Sequence, residues 1–493
     1  MALGVPSVGE AGKKADLEPW SGTPPRDEFY WLSEINKATF VTNTAAGLLD
    51  RKSVGAWCKA QERVIKTGNT PGNPRPKMYV RYEPLLIKEA GIEVTLIHAG
   101  RSSQDMHATF QRAMIRDQIV RIIRNLNSAR AALLTLADQN RDTIAPCYTN
   151  GVAAQPNSLG HTWLGHLEGF RRDIENLKEF WARLNLSPMG TTVLNGTPWP
   201  LDRHGMAKLL GFEGIIDNAY DAGQIAGTDV AIEAELVEPL LHVTQFIQDV
   251  MTQYAQPRPW ILVSATYAST AMPQKRNPGA LIDVRRDANE VLGEISGVIF
   301  RAHDLAPGMY DAKDQRSNAT LLSDAASVFD AFGKVIGLLK VNPDRALEEL
   351  NLDWTASQNI ADVMMQAFGI PFREGHHYSS ELVTFARAHE YTPITLPYEA
   401  AKSLYETMVK KEGLKHIPSE FPFTEPAFRS LLDPKSIVEA RRSEGGPQKP
   451  ELDRLFKAAE KSLETDTAWL ESKVKLLRDA EIKLNSAFKA LED

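Results

Sequence analysis

The sequence predicts a mainly α-helical protein built around a bundle of long helices, and three observations carry that expectation. Apolar residues recur at helical spacing over five successive long stretches, about 107–136, 157–184, 229–256, 278–304 and 319–341. Strand signals are scarce, the best being the short run ILVSATY at 261–267. Within 229–256 the set Val230, Leu236, Val237, Leu240, Leu241, Val243, Phe246, Ile247, Val250 and Met251 is apolar on most of the helix surface. A helix of that kind has to be buried, here inside a larger bundle.

The remaining elements follow in order. Residues 1–27 are rich in Gly, Pro and charge and read as a disordered lead-in without the apolar region of a signal peptide. Between Phe29 and about Lys66 two helices are expected, one containing INKATFVTNTAAGLL and the next N-capped by Asp50. TGNTPGNPRPK at 67–77 is a loop by its Gly, Pro and Asn content. The stretch 107–136 places Phe110, Met114, Ile119, Ile122, Ile123, Leu126, Leu133, Leu134 and Leu136 at helix spacing. After about residue 345 the helices shorten. The last 40 or so residues are charged and helical, which by default describes a solvated or partner-packing helix.

At 493 residues the chain exceeds what one compact core supports, so two or three subdomains are expected. The balance of 56 Lys+Arg against 63 Asp+Glu, a net charge of −7, leaves no electrostatic footprint for nucleic acid and no polybasic membrane patch. Its two cysteines, Cys58 and Cys147, lack metal-ligand spacing and read as reduced thiols of a cytoplasmic protein. No run of about 18 apolar residues exists, so no membrane span is expected.

The strongest chemical signal is Ser269 to Pro278, S-T-A-M-P-Q-K-R-N-P, between a short extended segment and a long helix. It offers a hydroxyl (Ser269), a cation (Lys275) and an amide (Asn277) within a short span. Lys275 and Asn277 are suited to grip a carboxylate while Ser269 faces the adjacent carbon. Taking a proton from that carbon creates an aci-carboxylate with two negative charges, which fixed donors must stabilise. A serine serves as base only where positive groups favour its alkoxide. The bland alternative is a helix-capping loop.

Further matches favour chemistry. The loop resembles the signature loop of the aspartase/fumarase superfamily, G-S-S-x-M-P-Q-K-x-N-P. The argininosuccinate lyase branch matches best: its H-T-G-R-S-R-N-D is similar to H-A-G-R-S-S-Q-D (His98 to Asp105), and its G-Y-T-H-x-Q-x-A-Q-P to C-Y-T-N-G-V-A-A-Q-P (Cys147 to Pro156). Its P-x-G-x-x-x-x-x-G-T motif and following D-R resemble Pro188, Gly190, Gly196, Thr197, Asp202 and Arg203, with L-G-F at Leu210 to Phe212. Its P-F-R-E-A-H resembles Pro371 to His376. The resemblance runs from about residue 30 to 410.

The resemblance implies a three-part subunit: an N-terminal helical domain (28–106), a central bundle with the catalytic loop (107–345), a C-terminal helical domain (346–434), and a charged helical extension (435–493) outside it. It also implies a homotetramer whose active sites are shared between subunits. Ser269 is then the base, with Lys275 and Asn277 holding the succinyl portion. Ser102 and Thr149 fall where the branch places hydroxyls near substrate carboxylates, and Tyr310 and Gln315 face the departing amine. His161 matches a histidine position of the branch and is suited to donate a hydrogen bond or a proton. His166 and the pair His376–His377 read as structural.

The departures are as informative. The histidine of Y-T-H, tied to protonation of the leaving group, is Asn150, and the glutamate that orients it is Ile282. A buried Glu without its His would be an unpaired charge, so their joint loss is coherent. Asp283 sits one position on, about 100° around the helix. The Arg-Asn pair of S-R-N-D is Ser103 and Gln104, which removes a guanidinium from the carboxylate site. The expected function is a carbon–nitrogen lyase that reversibly eliminates fumarate from an N-substituted aspartate of aminopolycarboxylate type, as ethylenediamine-disuccinate-type lyases do. The alternatives are argininosuccinate lyase, releasing arginine and fumarate, and a catalytically weak structural protein on the same scaffold. No cofactor and no metal are expected, since no cluster has ligand spacing and no Gly-rich phosphate loop follows a strand.

Overall fold

Asp27 starts the first helix, its carboxylate accepting the Tyr30 N–H at 3.0 Å. The structure, a computed structural model, describes residues 25–223, 226–264, 266–305 and 316–492. The expected lead-in, up to residue 24, and the candidate residues Tyr310 and Gln315 lie outside the described residues. Helix α1 (Glu28–Ala45) is followed by α2 (Arg51–Asn69), which Asp50 caps through the Lys52 N–H as the sequence predicts. With α3 (Tyr79–Ala90) they enclose a core of Phe29, Leu32, Ile35, Trp57, Tyr82 and Ile97.

The five predicted long helices are present. They are α4 (Ser103–Gln139), α5 (Leu159–Leu184), then, after the short α6 (Arg203–Leu209) and α7 (Ala219–Ala222), α8 (Ala226–Tyr254), α9 (Gly279–Ala302) and α10 (Arg316–Ile336). Ile119, Ile123 and Leu126 of α4 share one core with Leu167, Phe170 and Ile174 of α5, Leu240, Val243 and Phe246 of α8, Leu281 and Val284 of α9, and Phe329 and Phe332 of α10. The Phe332 ring lies 5.3 Å from that of Phe170 and 5.4 Å from that of Phe246, tilted against the first and edge-on to the second. Leu241 on α8 and Ile299 and Phe300 on α9 stay exposed on the single subunit.

After α11 (Pro343–Leu352), whose Ala346 joins the bundle core, five shorter helices, α12 (Ser357–Phe368), α13 (Phe372–Ala388), α14 (Tyr398–Glu412), α15 (Glu425–Leu432) and α16 (Pro434–Glu439), carry a separate core around Ile360, Tyr378, Leu382, Tyr405 and Phe428. Here His377 Nε2 meets Glu412 at 2.8 Å, while the His376 ring lies 5.8 Å from that of Phe372.

The C-terminal stretch departs from the default of a solvated or partner-packing helix. Helix α17 (Lys449–Lys489) sends Leu452, Phe456, Ala459, Leu470, Val474 and Leu477 into the bundle core and Leu484 and Phe488 into the N-terminal core. These positions recur at helical spacing, so one narrow stripe is apolar while the charges occupy the rest. A buried ion cluster adds to it. Asp466 accepts from Arg130 Nη1 at 2.6 Å and pairs with Lys178, and Arg130 also donates to Ser462 at 3.0 Å.

The strands are short and peripheral. An antiparallel hairpin of β1 (Ile144–Thr149) and β2 (Val152–Ser158) fills a region where no strand is expected, and it delays the start of α5 to Leu159. Its two-residue turn, Asn150–Gly151, has φ of +53° and +78°, the conformation in which Asn-Gly joins strands of matching twist. A parallel pair, β3 (Leu186–Ser187) and β4 (Gly214–Ile215), lies beside α6. The run at 261–267 divides between two sheets. Strand β5 (Ile261–Val263) pairs with β8 (Leu339–Val341), whereas β6 (Tyr267–Ala268) pairs with β7 (Arg276–Asn277). No helix of the described residues is long and apolar enough to cross a membrane.

Asp466→Ala is expected to lower stability by about 3–5 kcal/mol, because it leaves Arg130 buried without its carboxylate. Denaturant unfolding monitored on Trp469, whose ring lies edge-on to Trp181 at 5.7 Å, would measure it; a loss below about 1 kcal/mol would show that Lys178 and Arg130 find other partners.

Candidate active site

Ser102, Ser103 and Gln104 stand at the start of α4. Ser102 is its N-cap, accepting the Gln104 N–H at 3.2 Å, and its own N–H goes to Asp105 Oδ1 at 2.8 Å. This is a capping box, legible in the Ser-x-x-Asp pattern of the sequence. Asp105 is buried, and its Oδ2 also accepts the N–H groups of Gly190, Thr191 and Thr192 at 3.0, 3.1 and 3.2 Å. Burial pushes this carboxyl up against the downward pull of those four bonds. One carboxylate thus ties the Ser102 cap to the loop that carries the Pro-x-Gly motif. Gly190 enters that loop at φ +84°, which a side chain would strain.

Next to it, Arg101 is buried and spent on structure, donating to Asn36, Thr39 and Tyr79 at 2.9, 3.2 and 2.7 Å. Arg203 donates to the carbonyls of Met189 and Ile216, and Asp202 caps α6 through the Gly205 N–H. Ser103 is exposed and Gln104 half-buried at the positive end of the α4 dipole, where an anion is favoured.

Thr149 and Asn150 are exposed at the tip of the β1–β2 hairpin. Asn150 occupies a left-handed turn position, so its residue type also has a local, conformational explanation. Behind the tip, the Tyr148 hydroxyl donates to Glu349 at 2.5 Å and accepts from Trp260 Nε1 at 3.1 Å. Burial and the Glu349 carboxylate both raise the pKa of this phenol. His161 is engaged on both nitrogens: Nε2–H donates to the Gly445 carbonyl at 2.8 Å, and Nδ1 accepts from Asn157 at 3.1 Å. It sits on the first turn of α5 and braces the 445 segment.

Ser269, Lys275 and Asn277 are brought together by the β6–β7 hairpin. Asn277 pairs with Tyr267 and Ala268 with Arg276, which sets Ser269 opposite Lys275 where the strands open. Ser269 Oγ accepts the N–H groups of Ala271 and Met272 at 3.3 and 3.1 Å. Asn277 Nδ2 donates to the Tyr267 carbonyl at 3.3 Å, and the Lys275 ammonium is exposed with no partner among the described residues. Tyr267 packs over Gly279, where a Cβ would come within 2.7 Å of its ring, so the hairpin rests directly on the start of α9. On α9, Ile282 is half-buried, while Asp283 points outward and pairs with Arg286 at 2.9 Å.

The structure does not unite all these groups within one subunit. Helix α4 has 37 residues, about 55 Å of rigid rod. Ser102 stands at one end and the hairpin leaves the other, and six strand residues reach back only about 20 Å. Ser102 and Thr149 of one chain are therefore separated by some tens of ångströms. The bond from Trp260 to Tyr148 places the approach to the Ser269 hairpin at the Thr149 end.

Two features escape a reading of the sequence. His166 Nε2 meets Asp249 Oδ2 at 3.2 Å, and His242 Nδ1 meets the buried Asp173 at 2.8 Å, the latter bond raising the imidazole pKa. Both pairs join α5 to α8 across 83 and 69 residues, a separation that no local pattern reports.

Comparison with known proteins agrees with this architecture. Residues 77–293 match the lyase family, and residues 354–439 match the argininosuccinate lyase C-terminal family. The chain is 31% identical over 390 residues to the argininosuccinate lyase of Burkholderia mallei (strain SAVP1), covering 77% of this chain and 78% of that one. It is 25% identical over 459 residues to that of Methanothrix thermoacetophila, covering 91% of each. Among solved structures, EDDS lyase in complex with formate superposes with a TM-score of 0.85 at 24% identity, over 94% of this chain and 92% of the other, a likeness of fold.

Asp105→Asn turns an NH2 donor towards backbone N–H donors in place of one acceptor oxygen and is expected to cost about 1.5–3 kcal/mol. Amide exchange at Gly190, Thr191 and Thr192 should quicken in the variant; unchanged protection there would mean that the carboxylate does not hold the loop.

Proposed function

The chain belongs to the argininosuccinate lyase family, within the aspartase/fumarase superfamily of lyases, and from that premise we propose that it eliminates fumarate from an N-substituted aspartate of the aminopolycarboxylate type. The observation that carries the reading is the pair of backbone N–H groups directed at Ser269 Oγ. A hydroxyl oxygen that already accepts two donors gains most from them when it becomes an alkoxide, which is the state a serine base needs. Ser269 takes the proton from the succinyl carbon, and Lys275 and Asn277 stabilise the aci-carboxylate. Collapse of that intermediate breaks the carbon–nitrogen bond, and the nitrogen, already protonated in the bound substrate, takes the bonding pair and leaves as a neutral amine.

The separation imposed by α4 bears on assembly. For Ser102 and Thr149 to meet one substrate, they must come from different copies of the chain. A homotetramer with shared sites meets that requirement, and the exposed Leu241, Ile299 and Phe300 on the bundle offer apolar surface for it. Tyr310 and Gln315 remain candidates for the amine side by resemblance.

Identity to argininosuccinate lyases favours a second reading, release of arginine and fumarate. Asn150, Ile282 and Ser103 weigh against it, because they remove the acid relay and one guanidinium. A leaving nitrogen that carries its own proton does not need that relay. The EDDS lyase fold match supports the first reading, since ethylenediamine disuccinate supplies such a nitrogen.

Ser269→Ala is expected to lower kcat by about 10²-fold or more, followed through the ultraviolet absorbance of fumarate. A variant retaining more than about a tenth of the wild-type rate would exclude Ser269 as the base. On a panel including argininosuccinate and ethylenediamine disuccinate, kcat/KM should be higher for the latter. Asn150→His with Ile282→Glu should not raise it further. A wild-type preference for argininosuccinate would make the second reading the answer.

A further inference from the structure

Beneath the Asn150–Gly151 turn lies a cavity of about 490 Å³, enclosed by the hairpin, the first turns of α5, the last turns of α8 and Trp260. Its polar lining includes Asn150, Thr162, His166, Gln245, Gln248 and Asp249, set against the rings of Trp163 and Trp260. No Lys or Arg is among the described residues that line it. Arg285 on α9 reaches only as far as Gln248 Oε1, at 3.3 Å.

Asp249 is the one acidic side chain among the described residues that line the cavity, with His166 the one basic group beside it. Asp249 is half-buried, and one of its oxygens is held by His166 Nε2 at 3.2 Å. The His166 ring is itself fixed edge-on against Phe246, with centroids 5.2 Å apart. The other carboxylate oxygen, Oδ1, has no hydrogen-bond partner among the described residues. A carboxylate oriented in this way, with amide oxygens and aromatic faces around it, attracts an ammonium group and repels an anion. The pocket is therefore of the wrong sign for the dicarboxylate portion of a substrate and of the right sign for an amine.

Its position adds to this. The wall nearest the hairpin tip is Asn150, next to Thr149, the hydroxyl read above as a carboxylate contact. A molecule held by its succinyl carboxylates at Thr149 would direct its nitrogen-bearing end past Asn150 towards Asp249. We propose that this cavity is the subsite for the departing amine, that Asp249 is its counter-ion, and that His166 is a positioning residue that orients Asp249. The ligand class is a small alkyl diamine or amino acid carrying a terminal ammonium. The proposal rests on the lyase reading for the identity of that amine, and not for the sign of the pocket.

The test is calorimetric titration of the full-length protein with 1,2-diaminoethane in the presence of saturating succinate, which lacks the double bond to which an amine adds, with succinate titrated alone as control. The wild type should bind the diamine, and Asp249→Asn should weaken that binding about tenfold or more while leaving succinate affinity unchanged. Gln245→Glu, which adds a second carboxylate to the same wall, should tighten it. The subsite is overturned if the wild type does not bind the diamine, if Asp249→Asn binds it equally well, or if diamine and succinate weaken together. The lyase reading is decided apart from this, by fumarate release from ethylenediamine disuccinate. Absence of that activity would sink the reading, whereas diamine binding that depends on Asp249 would still establish the pocket.

Discussion

The unbroken length of α4 governs the rest of the molecule. A helix of 37 residues is a rod of about 55 Å, and the two groups of candidate substrate contacts in the first half of the chain stand at its opposite ends. Ser102, Ser103 and Gln104 belong to its N-terminus. Thr149 and Asn150 belong to the hairpin that leaves its C-terminus. The core formed with α5, α8, α9 and α10 packs along this rod, which holds the two groups apart within one chain. Completion of the site between copies follows from that geometry if both groups meet one substrate.

Each candidate group is held by its backbone rather than by a network of charged side chains. Asp105 gathers four N–H groups to lock the Ser102 cap against the loop at 190–192. The Ser269 hydroxyl receives two N–H groups from its own turn. The turn at Asn150 and Gly151 uses two left-handed residues to present Thr149. Backbone donors cannot rotate away as side chains do, so they cost little reorganisation when charge develops. The Lys275 ammonium is exposed at the open end of its hairpin.

The departure at Asn150 gains a second meaning from the structure. Read as sequence, it is the loss of a histidine from an acid relay. In the fold it is also a favourable residue for a left-handed turn, above a cavity whose only carboxylate among the described residues is Asp249. Loss of the relay and the appearance of an amine-compatible pocket beside it belong together chemically, since a protonated amine has less need of an acid and more need of a counter-ion.

Much of the fold was legible in the sequence. Helical periodicity located the five long helices to within a few residues, Asp50 marked the start of α2, and the Ser269 to Pro278 motif brought its three candidate residues onto one loop, because all of these are local patterns. The β1–β2 hairpin was missed, although Asn-Gly between two short runs signals such a turn. Tertiary structure alone decided the rest. Whether α17 is solvated or docked depends on Arg130 and Lys178 meeting Asp466 from some 300 residues away. The His166–Asp249 pair likewise forms only when α5 packs on α8. Local sequence sets backbone conformation and residue chemistry, whereas these contacts are selected by which helix faces can be buried together, and that is a property of the whole chain.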